Sequence, residues 1–384
     1  MTSPAPDRSA PTPSAMPTAP VAPMTRRRWL GLALGGATAT LSGCAPGDRA
    51  EAAAQALRRP LVIAPATDAD LRLRALLRYA TLAPSSHNTQ CWRFRLAPDA
   101  ISISADRARR CPVVDPDDHH LFVSLGCAAE NLVHAALAQG LHAEVATDAA
   151  GAIGVALTPT AASETALFRA IPARQCTRGE FDGRPVAASE LRQLEQAGTG
   201  PGVRVLLLTE RPALETVLDF VVAGNTAQLD DPAFVAELKA WIRFDADEAL
   251  RTGDGLYAAA SGNPTLPRWI GSRLLGLVLR PGADNARYAR QIRGSAGIAV
   301  FIGERADPAH WVEVGRCYER FALLATALDI RTAMLNQPVE VAALRPQFAA
   351  ALGLDGLRPD LVLRFGRGPM LPWSLRRPVA AVLA

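Results

Sequence analysis

With 384 residues, 49% of them apolar and 20% charged, the chain is ordinary for a globular protein and long enough for about two to three domains. A net charge of +4, spread along the sequence, gives no basic stripe of the kind nucleic-acid binding requires. The six cysteines include no Cys-x-x-Cys pair, which argues against a structural zinc site.

Residues 2–23 are rich in Pro, Ala, Ser and Thr and read as a disordered extension, with Met16 and Met24 as alternative starts. Thr25-Arg26-Arg27-Arg28-Trp29-Leu30-Gly31-Leu32 then leads into an apolar run ending at Ala39. Positive charge before a short apolar segment is export-signal architecture, and the paired arginines point to the twin-arginine route. The run is too short for a spanning anchor, which takes about 20 residues. Leu41-Ser42-Gly43-Cys44 resembles a lipobox, which makes Cys44 the candidate lipidation site; a single-pass anchor or a chance cysteine are the alternatives. The twin-arginine route carries folded proteins and suits one that takes up a cofactor before export. Residues 45–66, Ala-rich with Pro60 and Pro65, read as a linker.

Thr67-Asp68 can cap a helix over 69–82 that Pro84 closes. The corner Ala83-Pro84-Ser85-Ser86-His87-Asn88-Thr89-Gln90-Cys91 follows, with six consecutive hydrogen-bonding side chains from Ser85 to Gln90. An ordinary polar turn has this composition. A corner held between helix and strand can also present its donors and acceptors to one planar, polar-edged ligand. Trp92 to Leu96 and Ile101 to Ser104 alternate at period two around Ala97-Pro98-Asp99-Ala100, which predicts a hairpin. Asp115-Pro116-Asp117-Asp118-His119-His120 invites a metal, but its spacing matches no standard ligand set. Carboxylates are favoured at the start of the helix expected over 119–139, so no metal is assigned. Strands follow at 142–146 and 152–157.

A second start comes after Pro159, with a helix over 161–171. Next stands Arg174-Gln175-Cys176-Thr177-Arg178-Gly179-Glu180-Phe181, then Pro185-Val186 and a helix over 189–196. Guanidinium forks match phosphate oxygens, although a solvated basic turn has the same composition. A strand is expected at 203–208 and helices at 212–228 and 232–242. Residues 243–295 mix Gly, Pro and Arg with an apolar patch at 269–279 and read as a lid-like insertion. The chain ends with a strand at 297–302, a helix at 308–328, a short strand at 331–335, a helix at 339–352, a strand at 360–365 and an irregular tail.

The corner resembles the flavin-binding corner of the nitroreductase family, whose Ala-Pro-Ser-x-x-Asn-x-Gln-Pro-Trp-x-Phe pattern contacts FMN. Its Ser-His-Asn-Thr-Gln run is similar to that of the Acg subgroup; Cys91 stands where proline is usual. The 174–181 run resembles the family's opening Arg-Arg-Ser-x-Arg-x-Phe, whose arginines and serine hold the FMN phosphate. Arg174 and Arg178 match, Gln175 and Cys176 depart, and Phe181 is shifted by one residue. The tail through Arg376, Arg377 and Pro378 resembles the family's closing Lys-Ser-Arg-x-Pro phosphate contact. Met334-Leu335-Asn336-Gln337-Pro338 falls where the family has its loop near flavin N5.

The resemblance therefore implies FMN, with its ring read by Ser85, Ser86, His87, Asn88, Thr89 and Gln90. Its phosphate would be held by Arg174, Arg178, Arg376 and Arg377, with Asn336 near N5. It implies an α+β nitroreductase-like fold and an oxidoreductase passing hydride from NAD(P)H through FMN to a nitroaromatic, quinone or similar acceptor. The flavin carries the electrons, so no catalytic side chain is assigned. The alternative is a protein that binds or sequesters FMN without turnover, which residues 243–295 would favour by folding over the ring.

The chain also repeats itself. Val123-Ser124-Leu125-Gly126 aligns with Val312-Glu313-Val314-Gly315, and the register continues through Glu130 and Glu319, Leu132 and Phe321, Ala136 and Ala325, Leu141 and Ile330. This predicts two similar halves, 67–160 and 161–384, fused as an intramolecular pseudo-dimer about an approximate two-fold axis. Nitroreductases are usually homodimers with FMN at the interface, which implies one flavin site built from both halves here, without need of a second copy. A second site would be degenerate, since Gly198-Thr199-Gly200-Pro201 stands where the second corner belongs.

Overall fold

The structure is a computed structural model that describes residues 1–2, 46–60, 68–278, 280–354 and 356–384. The paired arginines and Cys44 lie outside the described residues. Ala45–Ala384 form one compact unit.

That unit opens with a helix where a linker is expected, α1 (Pro46–Arg58). Alanine is the best helix former, Pro46 stands at the first helical position where proline is tolerated, and Pro60 and Pro65 lie beyond the helix. The small side chains of Ala50 and Ala54 pack against Ala246, Ala249, Tyr257 and Leu375, distant in sequence.

The first sheet is built as the alternation predicts. After α2 (Ala69–Ala80) come β1 (Trp92–Ala97), β2 (Ala100–Ala105), α3 (His119–Ala138), β3 (Leu141–Thr147) and β4 (Ile153–Pro159). The strands lie in the order β1-β2-β4-β3, all antiparallel. Trp92, Phe94, Ile101, Ile103, Ile153 and Val155 face the core, while the residues between them face outward. Next is α4 (Ala166–Ala170), shorter than the expected 161–171 because the Thr165 hydroxyl caps it by accepting from the Phe168 amide at 3.1 Å.

After α5 (Ala188–Gly198) and β5 (Val203–Leu208), a long interruption runs from 209 to 296. It holds α6 (Arg211–Asp230), α7 (Pro232–Trp241), β6 (Ile242–Arg243), α8 (Ala246–Thr252), β7 (Leu256–Tyr257), α9 (Arg268–Val278) and α10 (Pro281–Arg293). The insertion therefore begins earlier than the expected 243; α6 and α7 belong to it. Then follow β8 (Gly297–Gly303), α11 (Pro308–Ala327), β9 (Arg331–Met334), α12 (Gln337–Glu340), α13 (Arg345–Ala351) and β10 (Arg358–Gly366). The helix expected at 339–352 is thus two, each with a proline in its first turn.

The second sheet has the order β5-β8-β10-β9, again antiparallel. In both sheets the strands sit in the order first, second, fourth, third, and one long helix joins the second to the third. The sheets differ in their outer faces. β8 and β10 are buried on both sides because α6 and α10 cover them: Leu214, Val217, Val221 and Ile292 pack on Ile298, Val300 and Val362. Strands covered on both faces read as continuous apolar runs, as these do.

The helices α3 and α11 cross at the centre. A Cβ on Gly126 would stand 2.0 Å from the Val312 carbonyl oxygen, and one on Gly315 would stand 2.0 Å from that of Val123. The contact is reciprocal between residues that the repeat aligns. Helix α3 is long and apolar enough to cross a membrane, but here it is a core helix, buried on nearly every face.

Candidate active site

The corner after α2 is strained. His87, Asn88 and Gln90 have φ of 48°, 53° and 53°, the left-handed region that non-glycine residues rarely occupy. Such conformations persist where surroundings over-determine them, often at functional sites. Here the restraint is a set of buried hydrogen bonds. The Asn88 amide donates to the carbonyls of Gly255 at 3.0 Å and Leu375 at 3.2 Å. The Gln90 amide nitrogen donates to Gly253 O at 2.9 Å, and its oxygen accepts from the Arg377 backbone N–H at 2.8 Å. Thr89 is buried, and its carbonyl accepts from Arg109. Arg109 and Arg243 both pair with Asp254, which fixes the 253–255 loop of the insertion against the corner.

A cavity of about 510 Å³ opens beside this corner, within the range of small-molecule sites. Ser85, Ser86 and His87 line it, together with Arg178 and Asn336. The corner is seated on α3: the Ser86 amide donates to Ser124 Oγ at 3.3 Å, and that hydroxyl donates to the His120 carbonyl at 2.7 Å. The insertion supplies an apolar wall through Phe234, Leu238, Phe244, Leu256 and Leu274. Helix α7 has no fully buried residue, so Phe234 and Leu238 remain available on the cavity side.

The remaining expected residues lie elsewhere. Asn88, Thr89, Gln90, Arg174, Arg376 and Arg377 are not among the cavity's lining residues. Arg174 is buried, donates to Leu82 O at 2.9 Å and stands 3.2 Å from Glu319. Arg376 donates to Thr81 O at 2.8 Å, Leu82 O at 3.1 Å and Ala83 O at 3.2 Å, collecting carbonyls left free where α2 ends. The Arg377 guanidinium donates to Ala381 O at 2.6 Å. Their donors hold the corner and the tail, so of the four arginines expected at a phosphate only Arg178 reaches the cavity.

Arg364 on β10 supplies a second cation. It is 1% exposed, lies 4.1 Å over the Phe181 ring and donates through Nη2 to Gly179 O at 2.7 Å. The residue lines the cavity, and its buried Nη1 has no hydrogen-bond partner among the described residues. Burial lowers its pKa to about 10, so it stays charged at neutral pH. The signal was present in the sequence, as one arginine inside the apolar strand Leu361-Val362-Leu363-Arg364-Phe365. Gln337 also lines the cavity; its buried oxygen is unpartnered among the described residues, while its nitrogen donates to Tyr288 at 2.7 Å. Asn336 has its side-chain oxygen committed to the Val362 amide at 2.9 Å. Burial, with the charges of Arg178 and His120, lowers His87 to about 4, so it is neutral at pH 7.

No protein-family profile matches the chain. Two curated relatives of Mycobacterium tuberculosis, one from strain CDC 1551 / Oshkosh and one from ATCC 25618 / H37Rv, each carry the name "Putative NAD(P)H nitroreductase". Each is 26% identical over 326 residues, covering 81% of this chain and 90% of the relative. The chain is similar to both over most of its length. Among solved structures, the FMN-dependent nitroreductase NfnB of Mycobacterium smegmatis in complex with NADPH is 16% identical and covers 53% of this chain and 87% of its own, with a TM-score of 0.35. A nitroreductase of Bacteroides fragilis with bound FMN is 13% identical over 53% of this chain and 88% of its own, with a TM-score of 0.33. Likenesses at these scores add nothing to the sequence similarity. The polar corner and the apolar wall facing it are this chain's own geometry.

Proposed function

We propose that this chain is an FMN-dependent NAD(P)H oxidoreductase of the nitroreductase type, within the Acg subgroup, with its flavin in the cavity described above. One observation carries the reading. The corner at 85–87, the arginine run at 178 and the loop at 336 are far apart in sequence, and all three line one cavity. The unpartnered Arg364 Nη1 and Gln337 Oε1 fit such a ligand, since FMN offers both acceptors and a donor along its ring edge. Arg178, partly exposed, suits the phosphate; Arg364, buried with a spare N–H, suits a ring carbonyl. Ser86 and neutral His87 add short polar contacts, and the wall from Phe234 to Leu274 excludes water from the ring's outer side. When bound, FMN supplies two-electron transfer between nicotinamide and acceptor. The matching strand orders and the reciprocal glycine crossing support a pseudo-dimer, in which the corner comes from one half and Arg178 from the other.

Flavin content tests this directly. The purified or FMN-reconstituted chain should be yellow, and Arg178→Ala or Arg364→Met should each weaken FMN binding by about tenfold or more in a fluorescence titration. A colourless protein after reconstitution would sink the reading. The insertion wall favours a second reading, flavin sequestration without turnover. NADPH that bleaches the flavin, with colour returning on addition of a nitro compound or quinone, supports the enzyme; a flavin that never bleaches supports sequestration. The same proposal exports the chain by the twin-arginine route and anchors it through a lipid on Cys44, so the mature N-terminus read by mass spectrometry should be a lipidated cysteine.

A further inference from the structure

His120 is a titratable group that the flavin reading leaves unused. It is the second residue of α3, 6% exposed, and lines the cavity. Its Nε2 is buried without a hydrogen-bond partner among the described residues. Its Nδ1 stands 3.6 Å from Asp115 Oδ1. Asp115 is itself fixed: Oδ1 accepts from the His120 amide at 3.0 Å and Oδ2 from the Leu121 amide at 2.9 Å. Through Ser124 the same turn of α3 bears the flavin-side corner. One ring nitrogen thus lies beside a fixed carboxylate, and the other is buried without a partner on a side chain that lines the cavity.

We propose that His120 delivers the proton to the acceptor reduced in this cavity, with Asp115 as its positioning residue; the inference rests on the flavin reading. The chemistry requires such a group. A hydride brings two electrons and one proton, whereas a quinone becoming a hydroquinone takes up two electrons and two protons. As the hydride equivalent drawn from NAD(P)H bonds to one quinone oxygen, the ring π electrons shift and the C=O pair at the opposite side moves onto its oxygen. That oxygen takes the proton from Nε2, and the imidazolium becomes neutral imidazole, which water reprotonates. General acids of this kind contribute about 10²–10⁴-fold in rate.

The charges around the ring agree. Burial works against its positive charge, but Asp115 outweighs burial and, with Glu340 of α12, holds His120 above its ordinary value of 6.5, against Arg345 of α13. His119, stacked at 4.5 Å between centroids, is itself held well below its ordinary value by burial and by His120, so it adds no charge. Glu340 is raised by burial, and its carboxyl accepts from Gln228 at 2.7 Å. His87 is held down to about 4 and has no proton to give at pH 7.

The test separates proton delivery from packing. In the flavin-free protein with ring-labelled histidine, NMR should show His120 titrating above 6.5, and Asp115→Asn, which keeps an acceptor for the helix amides, should lower it. In the FMN-loaded protein followed by stopped flow, His120→Gln should slow reoxidation by a water-soluble naphthoquinone about 100-fold. Reduction by NADPH and reoxidation by ferricyanide, which takes an electron and no proton, should keep their rates. Equal slowing with both oxidants, unchanged quinone rates, or a His120 that titrates below 6.5 would overturn the proposal while the yellow protein still stands. A chain that takes up no FMN overturns the flavin reading, and this inference with it.

Discussion

Gly126→Ala and Gly315→Ala are each expected to destabilise the chain by about 3 kcal/mol or more, read as a loss in urea-unfolding free energy. In an exposed helix the same change gains up to about 1 kcal/mol, because alanine has less freedom to lose on folding. The sign reverses here because the obstacle is backbone. Each new Cβ would meet a carbonyl oxygen of the opposite helix at 2.0 Å, and no rotamer change relieves a clash with backbone. The two long helices must then separate, which opens the core beneath Leu125, Val314 and Phe321. The two substitutions act on one crossing, so the pair should cost less than the sum of the singles once the helices have moved apart. Gly276→Ala is the control, since nothing lies within 4 Å of its new methyl. Equal effects at Gly276 and Gly126 would mean that the crossing is not as close as described.

Arg174→Met is expected to cost about 3–5 kcal/mol at pH 8, because it strands the buried carboxylate of Glu319. Glu319 is fully buried, and burial, opposed by Arg174, raises its pKa from 4.5 to about 7. Between those values the native state keeps a proton that the unfolded state has released. Stability from this group therefore falls as pH rises across that window, by an amount on the order of 3 kcal/mol. Its repeat partner behaves oppositely. Burial also presses Glu130 upward, but the His134 hydrogen bond and the charges of Arg320 and Arg316 take it down to about 2. Glu130 thus contributes stability above its usual range, lost as pH falls toward 2. Urea titrations at pH 5 and pH 8 should show a smaller Arg174→Met cost at pH 5, and Glu319→Gln should flatten the wild-type slope between them. A pH-independent cost would show that Arg174 acts through packing and its bond to Leu82 alone.

Much of this architecture was legible in local pattern. Period-two alternation placed Trp92 to Leu96 against Ile101 to Ser104, and Pro, Gly and capping residues marked the long helices. The aligned Val-x-x-Gly segments are the ones that meet where α3 and α11 cross. The exceptions have physical causes. Helix α1 looked like a linker because its apolar stripe is alanine apart from Leu57, and alanine shows burial only when a partner surface is present. The insertion's start at 209 was hidden because α6 and α7 have ordinary helical periodicity, which says nothing about which strands they separate.

The candidate site divides along the same line. Composition and order along the chain determined that a polar corner follows a helix, that arginines cluster after 173, and that a lone arginine interrupts the last strand. Which polar groups face a ligand was decided only by the packing. Asn88, Gln90, Arg174 and Arg376 have the chemistry of ligand contacts, yet buried carbonyls and a buried carboxylate nearby demand partners and take their donors first. Ser86, His87, Arg178 and Arg364 carry similar chemistry and line the cavity, where the strained turn, the 174–181 run and the strand β10 place them. Hydrogen-bonding capacity belongs to the residue type and can be read from the sequence. Whether that capacity is already used depends on neighbours hundreds of residues away, and only the folded chain brings them together.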